Sequence, residues 1–221
     1  MAIAYDNATG GNANPATSLT FSHTTSGSDR ALFVGVVSND TVTDDVTGVT
    51  YGGVSMTRLI AITTTNSGLR ATYIYYLLNP ASGANNVVIS VSASTYIDGV
   101  AVSYTGVKQS GMPDASTSTD GSGSGTWELS VSLASVADNC WHAIFVSDNN
   151  GGENAGTGTT VRIDRNISIW GDSNSAKTPA GSVTLAGTSS GTRQRGLMIS
   201  FAPAAASSNS NFPNLLTLGV G

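Results

Sequence analysis

The sequence predicts an all-β protein that folds as an antiparallel β-sandwich. Short runs in which apolar and polar residues alternate recur along the chain, and strands with one buried face produce this pattern. The chain has 221 residues, with 26 glycines and only 10% charged residues, a composition that favours short strands joined by tight turns. No segment shows the apolar periodicity of a helix over three turns.

The N-terminal segment predicts an edge strand that leads into the first core strands. Residues 2–5 fit a short edge strand, whereas residues 7–16 are rich in Asn, Gly and Ala, so we expect a turn-rich connector there. In residues 17–23 the apolar side chains share one face. Residues 30–38 are almost continuously apolar, which is typical of a central strand covered on both sides.

Two hairpins are expected in the next part of the chain. The pair Gly52-Gly53 separates the strand-like runs 46–51 and 54–63, and two glycines between strands favour a tight turn because both can adopt positive φ. The stretch 86–107 fits two alternating strands joined by a polar turn at residues 94–96. A further strand is expected at residues 69–78.

The C-terminal half alternates strands with longer polar loops. Residues 108–125 and 148–159 are rich in Gly, Ser, Asp and Asn and predict two long loops. Residues 160–170 alternate apolar and polar side chains and predict one strand that ends at a tryptophan. The remaining strands are expected at residues 127–133, 139–147, 181–186 and 192–202.

This pattern gives roughly eleven to thirteen strands in a jelly-roll-like sandwich with extended termini. We expect the sandwich domain to span residues 17–202. Residues 1–16 form an N-terminal arm or edge strand, and residues 203–221 a linker and an apolar C-terminal tail. The tail is expected to pack on its own sandwich, on a neighbouring subunit or on a larger particle, because apolar side chains seldom remain in solvent. Its apolar residues, Phe212, Leu215, Leu216, Leu218 and Val220, are the candidate partner-binding residues.

The charge distribution does not favour nucleic acid as a partner. The net charge is −5 and the sequence pI is about 4.7, whereas binding to nucleic acid requires a basic face that replaces counterions. No stretch approaches the roughly 20 apolar residues of a membrane helix. The first residues lack the basic start and apolar run of a signal peptide, so we expect synthesis and use without classical export and no membrane partner.

The residues that carry catalysis in other proteins are scarce. There are two histidines, His23 and His142, and one cysteine, Cys140, and none of the common hydrolase, zinc or phosphate-binding motifs is present. Cys140 and His142 lie two residues apart on an expected strand, so they share a face, and a nucleophilic thiol is one interpretation. The alternative is a small buried side chain in the core. We expect no enzymatic activity and no cofactor.

The sequence offers two weaker candidate sites, one for calcium and one for a glycan. Asp148, Asn150 and Glu153 offer the hard oxygen ligands that calcium prefers, although the same residue types are common in solvated turns. Tyr96, in an expected turn, and Trp170, at an expected strand end, are the best candidates for exposed rings that stack on a glycan. Most of the other aromatic residues lie in apolar strand patterns and fit the core.

Three segments carry a resemblance to a known group of proteins. The run VTYGGVSMTRL at residues 49–59, the run IYYLLNP at 74–80 and the run AVSYTGV at 101–107 resemble, in this order, a β-sandwich module of tailed-phage virion proteins that also occurs in bacterial surface proteins. The resemblance covers about residues 30–202. It implies a structural or binding module, and it brings no catalytic residues.

The resemblance implies a bacteriophage virion structural protein, with a capsid decoration protein as the favoured assignment. The start without an export signal, the single cysteine and the apolar tail favour the phage branch over the cell-surface branch. The expected partners are other virion proteins, either major capsid or tail proteins, and a homo-oligomer, with a trimer favoured. The expected location is the virion, after synthesis in the host cytoplasm. The alternative is a carbohydrate-binding or adhesin module of a tail fibre or cell-surface protein.

Overall fold

The computed structural model describes residues 1–39, 44–63, 70–149, 154–165 and 167–205, and in these ranges the chain forms strands and no helix. These ranges therefore contain no long apolar helix that could cross a membrane. All strand pairs are antiparallel, so the predicted all-β sandwich class is confirmed. The strands are β1 (Ala4–Thr25), β2 (Ala31–Ser38), β3 (Val46–Tyr51), β4 (Val54–Ser55), β5 (Thr57–Ile62), β6 (Ala71–Leu78), β7 (Gly83–Thr105), β8 (Ala115–Ser122), β9 (Trp127–Ala134), β10 (Trp141–Asp148), β11 (Asn154–Ala155), β12 (Thr160–Arg165), β13 (Ser168–Asp172), β14 (Ser182–Ser189) and β15 (Arg193–Phe201).

The first sheet curls into a nearly closed barrel around the long strand β7. Its order is β4-β3-β7-β2-β6-β5, and β1 pairs with the other side of β7. The first half of β7 pairs with β3 and the second half with β2, so the sheet folds over on itself. The glycines Gly11 and Gly99 permit this close approach, because a side chain at either position would press on Leu19 and Phe21.

Two further sheets are stacked in succession on this barrel, first a five-stranded sheet and then a three-stranded sheet. One has the order β12-β13-β10-β15-β8 and the other β11-β14-β9. The three sheets produce three apolar cores: one inside the barrel, one between the barrel and the five-stranded sheet, and one between the five-stranded and three-stranded sheets. The largest fully buried side chains of the middle core are Phe33, Tyr104, Phe145, Trp170 and Phe201.

Interior strands of this stack are buried on both faces. All eight residues of β2 and all eight of β10 are buried, which confirms the prediction of a central strand at residues 30–38. The two strands face each other closely, since a Cβ on Gly35 would lie 2.7 Å from the ring of Phe145. The hairpin at Gly52-Gly53 is also confirmed, with φ of +55° and +81° at the two glycines.

Two predictions about the long strands are wrong. Residues 86–107 do not form a hairpin, because β7 continues through residues 94–96, where Thr95 is buried and pairs with Ala16. Residues 7–16 are not a connector but the first half of β1, paired with β7. Both long strands change direction through irregular pairing between Ala13 and Ser18 rather than through a turn, and a bulge of this kind has a weaker sequence signature than a turn.

Two predictions in the C-terminal half are also wrong. Residues 160–170 form two paired strands, β12 and β13, instead of one strand that ends at Trp170. Residues 108–125 contain β8, an edge strand that pairs with β15. The side chains of β8 are polar on both faces, so apolar alternation was absent from its sequence.

Candidate functional site

Strand β1 has a long backbone edge with which no described strand pairs. Within the described ranges it pairs only with β7, so its other edge has no strand partner. Between Asn7 and Thr25 it contains no Lys, Arg, Asp or Glu, although exposed edge strands are commonly protected by charge. Pairing with β7 is regular over residues 7–13 and 18–25 and irregular between them. These two stretches are candidates for pairing with a further strand.

The two ends of the described chain meet where β1 begins. The amino group of Met1 donates a hydrogen bond to the carbonyl of Ala204 at 2.8 Å, and the N–H of Ala204 donates to Gly106 at 2.8 Å. Ile3 is buried in the middle core. The C-terminal segment therefore leaves the folded body beside the start of β1. The five candidate partner-binding residues of the tail lie outside the described residues.

A hydrogen-bonded cluster fastens β1 behind this edge. The hydroxyl of Ser103 donates to the carboxylate of Asp6 at 2.7 Å, and His23 Nε2 lies 3.1 Å from the same hydroxyl. His23 Nδ1 lies 2.8 Å from the hydroxyl of Thr9, and Ser26 donates to Asp6 through both its N–H and its hydroxyl. The cluster thus joins the two halves of β1 to each other and to β7.

The order of these groups does not produce an activated serine. A carboxylate only accepts, so Ser103 gives its one proton to Asp6 and must accept from His23 Nε2–H. Nδ1 then accepts from Thr9. Burial lowers the pKa of His23 to about 4, with Asp6 acting against that change. The imidazole is therefore neutral near pH 7 and serves as a donor to the serine, whereas a hydrolytic triad needs a histidine that removes the serine proton.

Two shallow grooves flank the β3–β4 hairpin, each with a volume of about 490 Å³. The first lies between this hairpin and β5–β6, and the exposed ion pair between Arg58 and Asp44 forms part of its wall. Tyr75 also lines it but is buried. The second groove lies between the hairpin and the start of β7. Its lining consists of Thr50, Gly52, Gly53, Ala84, Asn85, Asn86 and Val88.

The Cys140 thiol has the properties of a buried core group. It is fully buried, and burial together with the neighbouring Asp114 carboxylate raises its pKa to about 12. His142 is buried as well, which lowers the pKa of its imidazole. Asp114 accepts hydrogen bonds from the N–H groups of Val136 and Ala137 at 2.7 and 3.0 Å. Asp114 therefore holds the loop before β10 in place, and the thiol is protonated at neutral pH.

Neither predicted glycan-stacking ring is freely exposed. Trp170 is fully buried in the middle core, where it stacks on Phe33 and its Nε1 donates to Tyr104 at 3.0 Å. The prediction for Trp170 is wrong because this residue lies within β13, between two neighbouring strands, and not at an exposed strand end. Tyr96 is half-buried within β7, and the guanidinium of Arg70 covers its ring at 5.3 Å.

The predicted calcium loop is only partly described. Asp148 is buried at the end of β10, where its carboxylate accepts a hydrogen bond from the hydroxyl of Ser189. Asn150 and Glu153 lie outside the described residues. Among the residues that are described, no group of three His, Cys, Asp or Glu side chains is close enough to hold a metal ion.

Sequence reasoning missed both the free edge and the cluster behind it. His23 and Ser103 are 80 residues apart and Asp6 and Ser103 are 97 apart, so no short motif joins them. The one available signal was the absence of charge from residues 7–25. No protein-family model matches the chain, and no curated protein is significantly similar to it.

Proposed function

We propose that this protein is a non-enzymatic structural protein of a bacteriophage virion, and within the particle a capsid decoration protein. The observation that carries the proposal is the position of the chain ends. The N-terminus and the exit of the apolar tail lie together, next to an uncharged free strand edge. An edge and an apolar segment at one border of a folded body suit main-chain pairing with neighbours in a lattice. The phage assignment itself rests on the sequence resemblance.

Buried polar contacts between the layers suit a rigid building block. Asp98 of β7 binds Arg165 at 3.2 Å and accepts from Ser168 at 2.6 Å, which ties the barrel to the five-stranded sheet. Asp172, which pairs with Arg162 of the same sheet at 2.7 Å, accepts a hydrogen bond from Tyr104 across this boundary. Breaking a buried pair of this kind costs about 3–5 kcal/mol, so the layers resist sliding past one another.

The test of the proposal is the composition of virions. Particles purified from the source that encodes this chain are expected to contain it in many copies, as measured by quantitative mass spectrometry against the major capsid protein. Deletion of residues 207–221 is expected to leave folding intact and to abolish oligomerisation or binding to the particle. Absence of the chain from purified particles would refute the assignment. Unchanged assembly after the deletion would refute the role of the tail.

Carbohydrate binding is the second candidate function, and the groove beside Arg58 is the observation that favours it. The groove offers a guanidinium, a carboxylate and several hydroxyls, which are groups that hydrogen-bond to sugar hydroxyls. Glycan-array screening of the wild type tests this second candidate function. Specific binding that Arg58→Ala weakens and that Lys108→Ala leaves unchanged would favour the binding module. The polar residues that line this groove are Asp44, Thr47, Thr50, Ser55 and Arg58.

A further inference from the structure

We propose that the apolar tail of a second copy of this chain adds as a strand to the free edge of β1, along Ser18–Ser22. This inference rests on the proposed function and specifies where the tail binds. The docking segment is residues 217–221, five residues that match the five of the edge when Gly219 lies opposite Thr20, so that Leu218 and Val220 lie beside Leu19 and Phe21. The occupant is therefore a segment of this same protein, supplied by a neighbouring copy.

The edge at residues 18–22 has the geometry that strand addition requires. Its pairing with β7 is regular, from Ser18 opposite Ser90 to Ser22 opposite Asn86. In an antiparallel pair every second residue directs its N–H and C=O away from the partner, so these groups are available on the outer edge. The site ends after Ser22, because the carbonyls of His23 and Thr24 already accept hydrogen bonds from side chains. The irregular pairing before Ser18 limits it on the other side.

The side chains of the edge and the tail are complementary in pattern. Leu19 is buried and Phe21 is half-buried, on the face directed at the barrel core, whereas Ser18, Thr20 and Ser22 are exposed. In an extended tail, Leu216, Leu218 and Val220 share one face. That face would continue the row formed by Leu19 and Phe21 and would cover the accessible part of the Phe21 ring.

Charge does not oppose the contact. Residues 206–221 contain no ionisable side chain, and neither do residues 18–22. An unprotected edge of this kind is a template for another chain, and native proteins that leave such an edge open commonly use it for main-chain pairing. The pairing of a tail with the edge of the next copy is a heterologous contact, which closes into a ring when the rotation between copies permits.

The length and origin of the tail allow it to reach a neighbour. The described chain ends at Ala205, next to Met1 and the start of β1. Eleven residues separate Ala205 from Thr217, and an extended segment of that length spans about 38 Å. This is enough to cross a contact between two folded bodies that meet at the border where β1 begins.

Cysteine cross-linking between separate chains tests the inference. One full-length variant carries Thr20→Cys and another carries Gly219→Cys, two positions that lie opposite each other on the exposed face in either strand direction, and the two variants are mixed and oxidised. We expect a covalent dimer that contains one chain of each variant. The matched control replaces Thr20→Cys with Ser130→Cys, which changes an exposed serine on β9, and should give no dimer. Wild type should also give none, because Cys140 is buried.

The outcomes separate this inference from the proposed function. No mixed dimer, with oligomers that are still lost on deletion of residues 207–221, would overturn the β1 site and leave the role of the tail intact. A single chain that carries both cysteines and forms only an internal disulfide would show that the tail binds its own edge, and this also overturns the inference. Mixed dimers formed by a protein that is absent from virions would refute the proposed function alone.

Discussion

Lowering the pH from 7 to 5 should destabilise the folded protein through His23. Its imidazole is buried and hydrogen-bonded as a neutral ring between Ser103 and Thr9. Protonation would place a second proton on Nδ1, which accepts the hydrogen bond of Thr9, and would bury a positive charge that only Asp6 partly offsets. The folded state therefore resists the proton that the unfolded chain takes up readily.

The size of this effect follows from the two pKa values. An unfolded histidine has a pKa near 6.5, and burial lowers that of His23 to about 4. Because the folded pKa is the lower one, the stability is fully present above about pH 6.5 and is lost as the pH falls toward 4. At pH 5 nearly every unfolded chain but only about one folded chain in ten is protonated at this site. Between pH 7 and pH 5 the free energy of unfolding should fall by about 2 kcal/mol.

The assay is urea-induced unfolding, followed by tryptophan fluorescence at pH 7, 6 and 5, for wild type and for His23→Gln. Glutamine retains a donor near Ser103 and does not titrate, so the variant should lose about 2 kcal/mol less than wild type over this range. The pKa of His142 is lowered as well, so some pH dependence should remain in the variant. The pKa values of Asp6 and Asp114 are lowered. Protonation of these carboxylates therefore reduces the free energy of unfolding only below about pH 4, outside the range of this assay.

Equal losses of stability in wild type and His23→Gln would refute this reasoning. If the variant does not fold, an NMR titration of the wild-type imidazole decides the matter. The chain has only two histidines, so their signals can be assigned by comparison with a His142 variant. A His23 pKa above about 6 would show that the ring is accessible to protons in the folded state.

Three further predictions concern the packing and the thiol. Gly35→Ala should lower the free energy of unfolding, measured in urea, by about 1–3 kcal/mol, because the added Cβ would lie 2.7 Å from the ring of Phe145 in the facing sheet. In the control Gly48→Ala the added Cβ meets no atom within 4 Å, so the free energy of unfolding should change by less than about 1 kcal/mol. Tyr104→Phe should cost about 1–3 kcal/mol by calorimetry, since it removes the hydroxyl that donates to buried Asp172 at 2.7 Å, and an unchanged melting temperature would contradict that role. Cys140 should not react with a disulfide reagent at pH 8 until urea unfolds the protein, and rapid labelling of the native state would contradict its raised pKa.

Several elements were predictable because their signals are local. Residues 30–38 are apolar throughout, which indicated a strand covered on both faces, and β2 is buried at every position. Gly52-Gly53 indicated a tight hairpin, because two successive positive φ angles are unfavourable for other residues. The all-β class followed from many such signals, each of which depends only on the neighbouring residues.

The long strands were not predictable in the same way. Residues 94–96 were interpreted as a turn because they are polar, yet Thr95 is buried by the folding of β7 over itself. The polar strand β8 exists because β15 offers it an edge to pair with, and its own side chains carry no apolar alternation. In both cases the decisive interaction comes from residues distant in sequence, which local periodicity does not record.

The sequence alone determined the fold class, the central strands, the scarcity of catalytic groups and the apolar character of the tail. Only the tertiary structure decided that one edge of β1 has no partner among the described strands, and what lies behind that edge. Met1 and Ala204 meet at the start of β1, and Asp6, Ser103 and His23 meet between its two halves. Such contacts join residues about 80 to 200 positions apart, and they form only when long strands pair and fold over, because hydrogen bonds between distant side chains depend on the position of the backbone and leave no spacing in the sequence.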